Sequence, residues 1–147
     1  MTIEALKRNE ILYVEHVLQG MDDFPYEIRT MCADRVIAEV KERKQSFEEQ
    51  GLDVYVDFYY CRLTEGEKQH VRLLLSQEEQ DYLDRLEKRT KEEEIIFVPD
   101  DMLLTLIAKL NEKEALFSTI YFPASQSGKA QTWWGNYGGQ YLIFSDR

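Results

Sequence analysis

The chain has 147 residues, 44% of them hydrophobic and 12% aromatic, with a formal charge of −10. That length suits one domain with its own core, 1–147, and the aromatic content excludes a disordered chain. The charge excludes direct, unaided binding to nucleic acid, which needs clustered Lys and Arg to release counterions, and it would steer a basic protein partner towards the surface.

The two cysteines, Cys32 and Cys61, are far apart and form no CxxC pair, so the expected compartment is the reducing cytoplasm rather than a disulfide-forming one. The opening residues Met1-Thr2-Ile3-Glu4 show no secretory pattern. The longest mostly apolar run, Met102 to Ala108, falls well short of the roughly 18 residues a membrane span requires.

In chain order, Thr2 is placed to cap a first helix whose apolar residues run from Leu6 to Met21, with Gly20 as its stop. Residues 10–18 fit a strand equally well. His16 lies there without a second ligand nearby. Asp23 and Pro25 open a long helix with Ile28, Met31, Cys32, Val36, Val40 and Phe47 on its inner face, ending at Gly51. Glu39, Lys41, Glu42, Arg43 and Lys44 then read as its solvated face, and Cys32 as a buried structural thiol.

A hairpin is expected over 54–75. Val54, Val56, Phe58 and Tyr60 alternate on one strand, Val71, Leu73 and Leu75 on the other, with Thr64 to Glu67 as the loop. Tyr60 then opposes Val71, and Phe58 opposes Leu73. Thr64 and Glu67 also fit a helical capping box, which makes a helix the competing reading. Ser76 and Glu79 form a second capping box, opening a helix that carries Tyr82, Leu83 and Leu86 inward to about Thr90. A strand is expected near 95–98, closed by Pro99, and then a helix capped by Asp100 or Asp101. Another strand is expected near 116–122, followed by a polar loop over 124–131. The last element is a hairpin over 132–145 turning at Gly138-Gly139, in which Trp134 opposes Ile143. Trp133 and Trp134 are consecutive and so point to opposite faces. The expected fold is α+β, an antiparallel sheet of hairpins packed against N-terminal and intervening helices.

The 54–75 register places Cys61 opposite His70, within reach of a thiol–imidazole contact. No oxyanion-hole glycines flank the pair. The loop Ser125-Gln126-Ser127-Gly128-Lys129-Ala130 lacks the glycine and hydroxyl positions of a phosphate-binding loop. The separated histidines and cysteines give no closed metal ligand set, and Asp100-Asp101 serve as helix caps. No cofactor motif is present. The strongest surface candidates are Trp133, Trp134, Tyr137 and Tyr141, because Trp and Tyr bury large area with few rotors at interfaces. The favoured reading is a non-enzymatic binding or regulatory domain, with a basic protein partner or self-association. The alternative is a small enzyme or ligand-binding protein with a pocket beside the Cys61/His70 face.

Overall fold

The computed structural model describes residues 1–126 and 128–147; Ser127, part of the polar loop discussed above, lies outside them. The helices are α1 (Ile3–Leu6), α2 (Val17–Asp23), α3 (Ala33–Glu49), α4 (Glu65–Leu73), α5 (Gln77–Arg89) and α6 (Asp101–Glu112). The strands are β1 (Tyr26–Thr30), β2 (Tyr55–Asp57), β3 (Ile96–Phe97), β4 (Thr119–Phe122), β5 (Gln131–Gly135) and β6 (Gln140–Ser145). All pairings are antiparallel and form one sheet in the order β1-β6-β5-β4-β2-β3. Among the described residues, no helix is long and apolar enough to cross a membrane.

The α+β architecture follows the sequence expectation, and so do several element ends. In the Ser76 capping box, Glu79 N–H donates to Ser76 Oγ, and Ser76 N–H donates to the Glu79 carboxylate. Asp100 caps α6 by accepting the Leu103 N–H at 2.8 Å. Helix α3 runs out just before Gly51.

Several expectations are corrected. The 54–75 hairpin loses its second strand: after β2 the chain makes a 3-10 turn, Tyr60–Arg62, and then α4. Thr64 and Glu67 form the reciprocal capping box of α4, which satisfies two N-terminal donors that a hairpin loop would leave open. A spacing of four lets Val71 and Leu75 face inward from a helical turn, while Leu73 is 82% exposed, the reverse of what the strand required. The long second helix is also shorter than expected. Pro25 disfavours the helical region for Phe24, and Tyr26-Glu27-Ile28-Arg29-Thr30 alternates and forms β1. Cys32 therefore falls at the N-cap position of α3, where it is exposed. Finally, the first helix divides into α1 and α2 around extended residues, and Gly20 lies inside α2 rather than ending it.

Both faces of the sheet are covered. Helices α3, α4, α5 and α6 enclose the main core on one side, against Val56, Ile120, Phe122, Trp133, Tyr141 and Ile143 from the strands. The N-terminal segment covers the other face in two clusters, one around Leu6, Tyr55, Ile96 and Tyr121, the other around Leu12, Val14, Leu142 and Phe144. Hydrogen bonds hold that segment in place. The Thr132 hydroxyl donates to Leu12 C=O, Ala124 N–H donates to Glu10 C=O, and the Met1 and Ile96 backbones bond reciprocally. The last hairpin keeps its place but turns through three residues, Tyr137–Gly139, with φ of +69° at both Gly138 and Gly139. Trp133 therefore opposes Ile143, and Trp134 opposes Leu142, one residue away from the expected register.

Candidate functional site

The structure dismantles the Cys61/His70 pairing. Cys61 sits half-buried in the 3-10 turn, with burial pushing its thiol pKa up, and His70 is exposed on α4. A thiol shifted in that direction holds less thiolate at neutral pH. The C-terminal aromatics also separate. Trp133 is fully buried and Tyr141 nearly so, both in the main core. Trp134 is half-buried on the opposite face beside the Leu142 and Phe144 cluster, which the chain's own N-terminal segment covers. Tyr137 alone of the four is exposed, its ring edge-on to Phe117 at 4.8 Å. Among the described residues, no group of three or more His, Cys, Asp or Glu side chains is arranged to hold a metal ion.

A groove of about 380 Å³ opens where α3 crosses the ends of β4, β5 and β6. Helix α3 contributes Arg43, Ser46 and Phe47, which share one face at spacings of three and four. The strand ends supply Phe122, Gln131 and Ser145, and the adjoining loop adds Ser125, Gly128 and Lys129. Its floor is aromatic: Phe47 stacks on Phe122 with centroids 6.1 Å apart, and Phe122 packs on Trp133 at 5.0 Å.

Arg43 is the distinctive group in this groove. Its guanidinium carbon lies 5.1 Å from the ring centroids of both Phe122 and Trp133, within cation–π range. Its Nη1 donates to Gln131 Oε1 at 2.7 Å, which fixes the fork on the rings. Desolvation by burial lowers its pKa, though an arginine remains charged at neutral pH. Among the described residues it makes no ion pair. The neighbouring carboxylate of Glu39 is occupied, since it accepts bidentately from Arg29 at 2.8 and 3.2 Å and from Arg35 at 3.2 Å. Among the described residues that line the groove Arg43 and Lys129 are the charged ones, while Glu39, Glu27 and Glu42 lie close enough to favour the charged form of Arg43 from outside it. A guanidinium held this way presents its remaining N–H donors to a carboxylate or phosphate oxygen.

No family model, curated protein or solved structure matches this chain. The site therefore rests on its own geometry.

The sequence did carry a signal for Arg43. Val36, Val40, Arg43 and Phe47 are spaced four, three and four, the repeat of an inward stripe, so Arg43 occupies a core-facing slot instead of the solvated face expected for it. A second feature missed from the sequence is Asp57. It lies 6% exposed, on the face of β2 opposite the main core, and its Oδ1 accepts the Thr119 N–H at 2.7 Å. Desolvation pushes its pKa up to about 7 against the opposing effect of the Thr119 bonds. Its charge in turn helps raise the pKa of Tyr13, Tyr59 and Tyr121, where burial is the larger cause. Period-two alternation with Tyr55 and Tyr59 places Asp57 on that face, but nothing in the spacing announces that a segment 40 and more residues upstream covers it.

Proposed function

We propose that this chain is a non-enzymatic binding domain whose Arg43 groove holds a single anionic group of its ligand, a carboxylate or phosphate carried beside an apolar moiety. The observation that carries this reading is a half-buried arginine that makes no direct ion pair among the described residues, stacked on aromatic rings at the wall of an open groove. Desolvation of this guanidinium outweighs the help of Glu39, Glu27 and Glu42, and an anion in direct contact would offset that cost. Phe47 and Phe122 offer apolar surface next to the charge. The net charge of −10 selects against long polyanions, whose remaining charges would meet a repelling exterior. The same exterior favours a ligand that belongs to an otherwise basic protein partner. The enzyme alternative relied on a cross-strand Cys61/His70 pair, whereas Cys61 lies in the 3-10 turn and His70 on α4.

The test is a heteronuclear NMR titration with inorganic phosphate and with N-acetylphenylalanine, at constant ionic strength, on wild type and Arg43→Met. The expected result is saturable shifts at the Phe47, Lys129 and Gln131 amides in wild type, lost in the variant. Shifts of equal size in both proteins, or none in either, would overturn the reading.

A further inference from the structure

The two edges of the sheet are finished differently. At β3 the outward-facing backbone of Ile96 is closed: its N–H donates to Met1 C=O at 3.0 Å, and its C=O accepts from the Met1 nitrogen at 2.7 Å. At β1 the parity of the ladder shows which groups remain open. Ser145 N–H donates to Pro25 C=O and Met31 N–H donates to Gly139 C=O, so odd-numbered residues of this stretch face β6. The N–H and C=O groups of Tyr26, Ile28 and Thr30 therefore point away from the sheet. Among the described residues, no strand pairs with that side of β1. Tyr26 and Ile28 are 42% and 52% exposed; Pro25 stands just before the strand rather than within it, and its two charged residues, Glu27 and Arg29, are of opposite sign. Folded proteins usually blunt such an edge, because it is a template for another strand.

We infer that β1 is a dimerisation edge at which two copies of this chain pair antiparallel about Ile28, joining their sheets into one of twelve strands. The strand's own sequence selects the occupant. Pairing about Ile28 sets Ile28 opposite its symmetry mate, and Tyr26 opposite Thr30 of the second copy. These are the outward-facing residues, so each such pair exchanges two backbone hydrogen bonds. The intervening positions set Glu27 opposite Arg29 of the second copy, twice by symmetry. These are the closely spaced pairs without backbone bonds, where side chains of opposite charge meet best. An isologous contact requires self-complementarity, and Tyr-Glu-Ile-Arg-Thr supplies it in this register, with every charge matched. Arg29 already binds Glu39 bidentately, which pre-orients it at the edge and leaves donors for Glu27 of the second copy.

The experiment is light scattering after size exclusion on the full chain across a concentration series. Wild type is expected to reach twice its 17.5 kDa mass. Ile28→Lys, which alters an exposed side chain, is expected to give a monomer with unchanged circular dichroism. Glu27→Arg and Arg29→Glu are each expected to be monomeric, because each places like charges opposite each other twice. Mixed together, they are expected to form a dimer, since every cross-strand pair is then Arg against Glu. A monomeric wild type, a dimer that survives Ile28→Lys, or charge-reversed chains that fail to associate on mixing would each overturn the inference. If Arg29→Glu unfolds, Glu27→Arg and Ile28→Lys still decide it. An unrelated strand occupying this edge would leave the purified wild type monomeric.

Discussion

Replacing Asp57 with Asn should invert the usual effect of removing a buried polar charge, and the size of that inversion follows from its surroundings. The folded carboxyl keeps its proton up to about pH 7, because burial disfavours the anion more than the Thr119 bonds stabilise it. In the unfolded chain an aspartate loses its proton near 3.9, so between about pH 4 and pH 7 the unfolded state binds fewer protons than the folded one. Stability contributed by this group is therefore fully present below about pH 4 and declines as pH rises through about 7. Each pH unit in that window is worth about 1.4 kcal/mol, which bounds the whole loss at about 4 kcal/mol. Asparagine keeps the acceptor for the Thr119 N–H and has no proton to lose. Urea unfolding of wild type and Asp57→Asn at pH 4.5, 6 and 8 measures the effect; taking the difference between the two proteins cancels the titration of every other carboxylate. The stability gap should move in favour of the variant by several kcal/mol between the first and last pH. A gap that stays flat, or that moves in favour of wild type at pH 8, would refute the account of Asp57.

Three further outcomes test the packing and the thiols. Gly135→Ala would place its Cβ 2.2 Å from Asn111 Oδ1, which accepts the Ser118 N–H, so it should cost about 1–3 kcal/mol. Gly66→Ala meets nothing within 4 Å in α4 and should be neutral or stabilising by up to about 1 kcal/mol, both read from urea midpoints. With iodoacetamide at neutral pH, the exposed Cys32 should react about tenfold faster than the half-buried Cys61, whose thiol is shifted up. Faster labelling at Cys61 would restore the case for an activated thiol there.

What could be read from the sequence was what short-range chemistry decides. Ser76 with Glu79, Asp100 after Pro99, and Gly51 each satisfy or terminate a helix within a few residues, and each structural end lies where those residues put it. The stretch 64–75 was ambiguous for a physical reason. Val71 and Leu75 fit an inward face at spacing two or four, and only Leu73 distinguishes the readings, through an exposure set by tertiary contacts. Arg43 was hidden by its charge, although its position in the Val36, Val40, Phe47 stripe marked it as inward-facing. The covering of Tyr121 and Phe144 by residues near the chain start had no local signature. The Arg43 groove likewise exists only once α3 meets strand ends some 80 to 100 residues later in the chain.

The N-terminal segment that covers the second sheet face also ties the start of the chain to its far end. Its bonds reach from Met1 to Ile96 and from Leu12 to Thr132, separations of 95 and 120 residues. Such closures carry a large loop entropy and contribute most to a slow folding rate. Until β4, β5 and β6 have paired, Leu6, Leu12 and Val14 have no surface to dock on, and the strands that await them expose Tyr121, Leu142 and Phe144. The segment that leads every strand in the chain therefore docks on a surface that strands much later in the sequence have to supply.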